Sequence, residues 1–161
     1  MASLIRPATH DDLAALMELF QQLDDLHSRE LPQVFREATT SARSVADLQG
    51  LLADPAVALM VAELDHLIVG LVHVKEVMLP GSTYFLPARY AQVRDLVVHA
   101  DHRHLGLGAA LMAEAERWAA SRGIGEIRLM VWEFAGSALP FYDSLGYSTL
   151  NRTMVKQLES K

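Results

Sequence analysis

The chain has 161 residues, 51% hydrophobic and 21% charged, enough for one domain with a real core and unlike a disordered segment. A formal net charge of −6 argues against a nucleic-acid partner, which would call for concentrated positive charge, and mildly favours a neutral or cationic substrate. Cysteine is absent, which excludes disulfides, thiolate metal sites and a cysteine nucleophile and fits a reducing, cytoplasmic setting.

The first ten residues lack the apolar core of a signal peptide. No run of about 18 apolar residues is present, so no membrane span is expected. Residues 3–6 read as a short first strand stopped by Pro7. Thr9 with Asp12 three residues on resembles a capping box. Leu13, Leu16, Met17, Phe20 and Leu23 then follow helical spacing, which predicts a helix over 10–27. Ser44 caps a second helix that ends at Asp54-Pro55.

Two apolar runs, Val57–Leu64 and Leu67–Val74, flank the polar pair Asp65-His66 and predict a β-hairpin. Residues 79–87 carry turn chemistry and aromatics, and Tyr90–Val98 reads as the fourth strand. Along it, strict alternation places Val93, Asp95 and Val97 on one face. Helical spacing returns from Leu107 and stops at Gly123, Ile127–Trp132 reads as a strand, and Ser137–Leu145 as a short helix before Gly146. Tyr147 onward supplies one or two last strands. The order β-α-α-β-β-β-α-β-α-β-β predicts an α/β protein with a mixed sheet, one domain over residues 1–161.

The joint between the fourth strand and the next helix carries the most chemistry. It runs Arg103-His104-Leu105-Gly106-Leu107-Gly108-Ala109. Glycine lets the backbone approach a ligand closely, and the first turn of a helix presents unpartnered N–H groups and the positive end of its dipole. That is an anion site suited to a pyrophosphate, and Arg103 adds a planar cation. A dinucleotide fold needs a third glycine where Leu111 stands, and an NTPase loop needs Lys-Ser/Thr where Ala109-Ala110 stand.

What is left, Arg-x-x-Gly-x-Gly between strand and helix, resembles the coenzyme A loop of the GNAT acetyltransferase superfamily. Phe141-Tyr142-Asp143-Ser144-Leu145-Gly146-Tyr147 resembles the superfamily's Phe-Tyr-x-x-x-Gly-Phe segment. Ile5–Thr9 with Asp12-Leu13 looks like its opening, and Met154–Leu158 like its closing strand. The resemblance covers the chain in order. It implies a GNAT-like fold, a mixed and mostly antiparallel sheet flanked by helices, with acetyl-CoA as co-substrate.

The same resemblance implies direct attack by an amine, with no covalent enzyme intermediate and no metal. The backbone of Val97 and Val98 is expected to hold the pantetheine arm, and residues 103–109 the pyrophosphate. Tyr142 matches the position of a general acid for the departing thiolate, since a phenol is a suitable donor. Asp95 follows Arg94 where some relatives carry a glutamate, and is a candidate base. His99, His102, His104 and Glu133 are weaker candidates, and the histidine spacing is not that of a metal site.

One departure stands out: Ala135 occupies a position where an asparagine is common, so Ser137 is the candidate for that contact. Acceptor specificity is expected from the first two helices and the 78–89 loop. Asp24 and Asp25 there suit a cationic amine, and Tyr84 and Tyr90 are candidate lining residues. The acceptor is a small molecule or a peptide or protein amine, and the late strands are suited to pairing in a homodimer. Another acyl-CoA as donor, or a non-catalytic acyl-CoA sensor, keeps the same scaffold.

Overall fold

The computed structural model describes residues 3–37 and 42–158. They divide into two compact units, Met1–Met130 and Val131–Lys161. The first holds β1 (Ser3–Pro7), α1 (Leu13–Glu30), α2 (Val45–Ala53), β2 (Val57–Leu64), β3 (Leu67–Leu79), β4 (Ala88–Val98), α3 (Leu107–Ser121) and β5 (Ile127–Leu129). The five strands form one sheet in the order β1-β2-β3-β4-β5. All neighbours are antiparallel except β4 and β5.

Local chemistry explains the boundaries. Ser44 Oγ accepts from the Asp47 amide at 3.1 Å, and Asp47 Oδ2 accepts from the Ser44 amide at 2.7 Å, a reciprocal cap that starts α2. The β2–β3 hairpin turns on Asp65 and His66, both with positive φ (49° and 68°), the geometry of a two-residue turn matched to strand twist. The expected helix over 10–27 splits into a 3-10 turn at His10–Asp12 and α1 proper.

Helices cover both faces of the sheet. On one, Leu16, Leu19 and Phe20 of α1 and Leu48 of α2 pack with Leu59, Val61, Leu71 and Val97. On the other, Leu111, Met112 and Ala115 of α3 are fully buried. A Cβ on Gly70 would lie 3.2 Å from Leu111 Cδ1 and 3.1 Å from the Val97 carbonyl oxygen, so glycine lets α3 approach.

The expected alternation along β4 fails at one point. Val93 pairs with Val74 and Asp95 with His73, so Arg94 is an extra residue, a β-bulge. Side chains opposite one another share a face. Val93 therefore sits with Val74 on the face away from His73, while Asp95 and Val97 lie with His73 and Leu71 on the α1 face. The placing of all three on one face is corrected by this bulge.

Arg6 of β1 fixes the entry to α1. Its Nη1 and Nη2 donate to Asp12 Oδ2 and Oδ1 at 2.8 and 2.9 Å, and its Nε donates to Glu63 Oε2 at 2.8 Å. The Asp12 carboxylate also accepts from the Thr9 amide at 2.8 Å. The Arg6 hydrogen bonds, ahead of those from Thr9, hold its carboxyl at about 2. A depressed folded-state pKa contributes stability above the unfolded value, and that contribution disappears as pH falls from about 4 toward 2. Asp12→Asn is expected to remove on the order of 2 kcal/mol of acid-dependent stability, read by urea unfolding at pH 5 and pH 3. An unchanged difference between the two pH values would count against it.

In the second unit, α4 (Leu139–Ser144) ends at Gly146, φ 87°, where the Tyr147 amide donates to the Tyr142 carbonyl at 3.1 Å. This is the usual left-handed helix stop. The expected last strands do not appear: residues 147–158 carry no strand. Leu150, Met154, Val155 and Leu158 are all highly exposed, so the segment buries no apolar face that would hold it as a strand. Ile127–Trp132 is likewise shorter than expected, since β5 ends at Leu129.

Candidate active site

β4 and β5 pair only through Ala91–Val93 with Ile127–Leu129. Beyond Val93, β4 has no strand on that side among the described residues. The Ala91 amide points to β5, donating to the Glu126 carbonyl at 2.9 Å, whereas the His99 amide points to β3, donating to the Val69 carbonyl at 2.8 Å. Counting back from His99 by strand alternation turns the backbone of Val97 toward Leu71. The backbone groups of Leu96 and Val98 face the open edge. The Val98 carbonyl there accepts from Arg103 Nε at 3.2 Å.

From that edge the chain makes a 3-10 turn at Ala100–His102 and passes through His104, φ 64°, and Gly106, φ 78°, into α3. Two left-handed residues so close together reverse the chain sharply. At Gly106 that conformation favours glycine, and the space where a Cβ would sit is open. No side chain caps α3, so the amides of Leu107, Gly108 and Ala109 keep the unpartnered character of a helix N-terminus. Arg103, His104, Leu105 and Gly106 are exposed and Leu107 is buried as the anchor. The turn thus brings a guanidinium, several free amides and an open strand edge together.

The acceptor-side residues do not converge in the same way. Asp24 is turned inward, where Arg43 Nη1 donates to both its oxygens at 3.1 Å. Asp25, one residue on, faces out and accepts from Gln21 Nε2 at 2.7 Å. Tyr84 is 88% exposed, edge-on to Phe85. Tyr90 lies under the Arg128 guanidinium, 4.0 Å from its ring centre.

Asp95 is the centre of a network that extends beyond these residues. Its Oδ2 lies 2.8 Å from His73 Nδ1, and its Oδ1 accepts from Arg43 Nη2 at 2.9 Å. Arg43 in turn holds Asp24, and its guanidinium sits 4.1 Å above the centre of the Phe20 ring. Burial pushes the Asp95 carboxyl up, but the His73 hydrogen bond and the Arg43 charge outweigh it and hold it below the usual range. Burial pushes His27 down, against the pull of Asp24 and Asp95.

His73 and Arg43 escaped the sequence reading. A signal for His73 existed: a polar residue within the apolar run Leu71–Val74 marks a buried polar group. Arg43 carried none, because its partners are 19 and 52 residues away.

In the second unit, Phe134–Ser137 forms a turn with Gly136 at φ 81°, closed by the Ser137 amide donating to the Phe134 carbonyl at 3.0 Å. Tyr142 is buried in α4, edge-on to Phe141 and Tyr147. Burial pushes its phenol up to about 12. Glu133 lies 3.9 Å from Arg152. No cluster of metal-ligating side chains occurs among the described residues, and no helix among them is long and apolar enough to cross a membrane.

Among the described residues the sheet is open along β4 beyond Val93, and the strand ends in a glycine turn at an uncapped helix N-terminus. The model of the acetyltransferase (GNAT) family matches residues 20–147, and the chain belongs to that family. No functionally curated protein matches it in sequence. The tetramutant of the BH1408 protein from Bacillus halodurans shares the fold with a TM-score of 0.89 at 22% identity, over 96% of this chain and 99% of that one. A GCN5-related N-acetyltransferase from Ralstonia eutropha JMP134 follows at 0.73 and 23%, over 98% and 99%. A predicted acetyltransferase from Clostridium acetobutylicum, solved with acetyl-CoA, gives 0.72 and 13%, over 97% and 96%.

Proposed function

We propose that the chain transfers an acetyl group from acetyl-CoA to a primary amine of a small molecule, peptide or protein, in a ternary complex. The observation that carries this reading is the joint of β4 and α3. There Arg103, the uncapped amides of Leu107–Ala109 and the strand edge at Leu96 and Val98, whose Val98 carbonyl holds Arg103, lie together. These groups fit the donor: cation and helix amides suit a pyrophosphate, and an unpaired strand edge suits the amides of a pantetheine arm.

When bound, acetyl-CoA supplies an activated thioester carbonyl. The chain's task is then to hold it, to free an amine lone pair and to protonate the departing sulfur. An amine with a pKa of about 10 arrives as an ammonium at neutral pH, so a proton acceptor is needed. The Asp95 network on the α1 face of β4 adjoins Leu96 and is the acceptor side in this reading. Tyr142 is the proton donor to sulfur, and Ser137 a further polar contact to the donor. Positioning supplies most of the rate.

Thiol release with a panel of primary amines tests the reading. Arg103→Ala is expected to weaken acetyl-CoA binding about tenfold, the loss of one charge-assisted contact, as read by calorimetry. Full-strength binding in that variant would remove the turn from the donor site. Binding without turnover for every amine would make the protein an acyl-CoA sensor.

A further inference from the structure

His73 has no part in the reaction as set out above, yet it is built like one of its working groups. It lies opposite Asp95 across β3 and β4, with its side chain 9% exposed. Nδ1 faces the Asp95 carboxylate at 2.8 Å, and Nε2 is buried with no hydrogen-bond partner. Native interiors seldom leave a buried ring nitrogen in that state, because its lost hydration is uncompensated. The other side of the pair is fully engaged: Asp95 has one oxygen on His73 and the other on Arg43. A carboxylate held this way is a poor proton acceptor, since protonation would forfeit contacts made to its charge. An imidazole is better matched to the task near neutral pH. A carboxylate on Nδ1 also fixes the proton there and leaves the lone pair on Nε2.

We infer that His73 Nε2 accepts the proton of the incoming amine, and that Asp95 is the positioning residue that fixes its tautomer. This rests on the acetyl transfer proposed above. An N–H bond of the ammonium breaks and its proton passes to the buried Nε2 across intervening water. The freed lone pair forms the N–C bond at the thioester carbonyl, the C–S bond breaks, and sulfur leaves with the electron pair. The sulfur takes up a proton as it leaves, the nitrogen loses its second proton to water, and the imidazolium returns its own to water. The charged and titratable groups of this network are Asp95 and, from the end of α2, Asp54 near His73; Arg43 and Arg94 near Asp95; and Asp24 and His27 of α1 beside Arg43 and Asp95.

His73→Asn keeps an N–H donor for Asp95 and removes the basic nitrogen. In thiol-release assays across pH 5.5 to 9, the expected result is turnover reduced about a hundredfold or more. The acidic limb of the wild-type kcat/KM profile should be lost, with the acetyl-CoA Kd unchanged. Wild-type turnover with the limb intact overturns the assignment and leaves the acetyl-transfer reading standing. A wild-type protein that binds acetyl-CoA and acetylates no amine overturns both. Long-range 15N–1H spectra of the wild type give a check that needs no variant. They should show His73 as the Nδ1–H tautomer at pH 7.5, and an Nε2–H tautomer overturns the inference.

Discussion

Replacing Tyr142 with phenylalanine is expected to leave acetyl-CoA binding intact and to cut turnover about a hundredfold or more. The change removes one oxygen and keeps the ring, so the edge-on contacts with Phe141 and Tyr147 persist. What disappears is the proposed proton source for the sulfur that leaves the thioester. Burial pushes this phenol up to about 12, so it stays protonated throughout the neutral and mildly alkaline range, as an acid must. The same shift makes it a weaker donor than an ordinary phenol. Transfer is therefore favoured only once charge has built up on sulfur. Thiol release and calorimetry on the variant separate the two effects. Undiminished turnover would strip Tyr142 of this role.

Phe20→Ala is expected to be the most damaging single change to the fold, costing about 3–5 kcal/mol. The ring is fully buried against Leu16, Leu19, Leu71 and Val97, and its face carries the Arg43 guanidinium. Truncation would open a cavity beneath α1 and also loosen the cation that links Asp24 to Asp95. Since whole domains are stable by about 5–15 kcal/mol, the variant should be marginally folded. Phe20→Leu keeps most of the volume and loses only the aromatic face, so it should cost about 1.5 kcal/mol or less in packing. Urea unfolding of the pair distinguishes the contributions. Equal midpoints for the two variants would show that the cavity is not the cause.

What could be read beforehand followed from chemistry local in sequence. Asp65-His66 between two apolar runs marked the hairpin, Ser44 marked the start of α2, and Gly106 ahead of a helical pattern marked the turn. Each of these depends on residues within about four positions. The Asp95 network could not be read that way. Arg43, Asp24, His73 and Asp95 come from four separate segments, and nothing in their spacing says that they meet. Met154–Leu158 misled in the opposite sense, because its likeness to a closing strand suggested strand where the backbone makes none.

Arg94 behaves like a frameshift in the two-letter rhythm of β4. Ahead of it, odd-numbered residues turn their amides toward β5; after it, even-numbered ones turn toward that open side. The same slip carries Asp95 across to His73 and Arg43 instead of leaving it under α3. One inserted residue therefore decides two things at once: which peptide groups the cleft can use, and which carboxylate stands behind them. In the proposed site, the donor half and the acceptor half would be in phase with each other because they share that single offset.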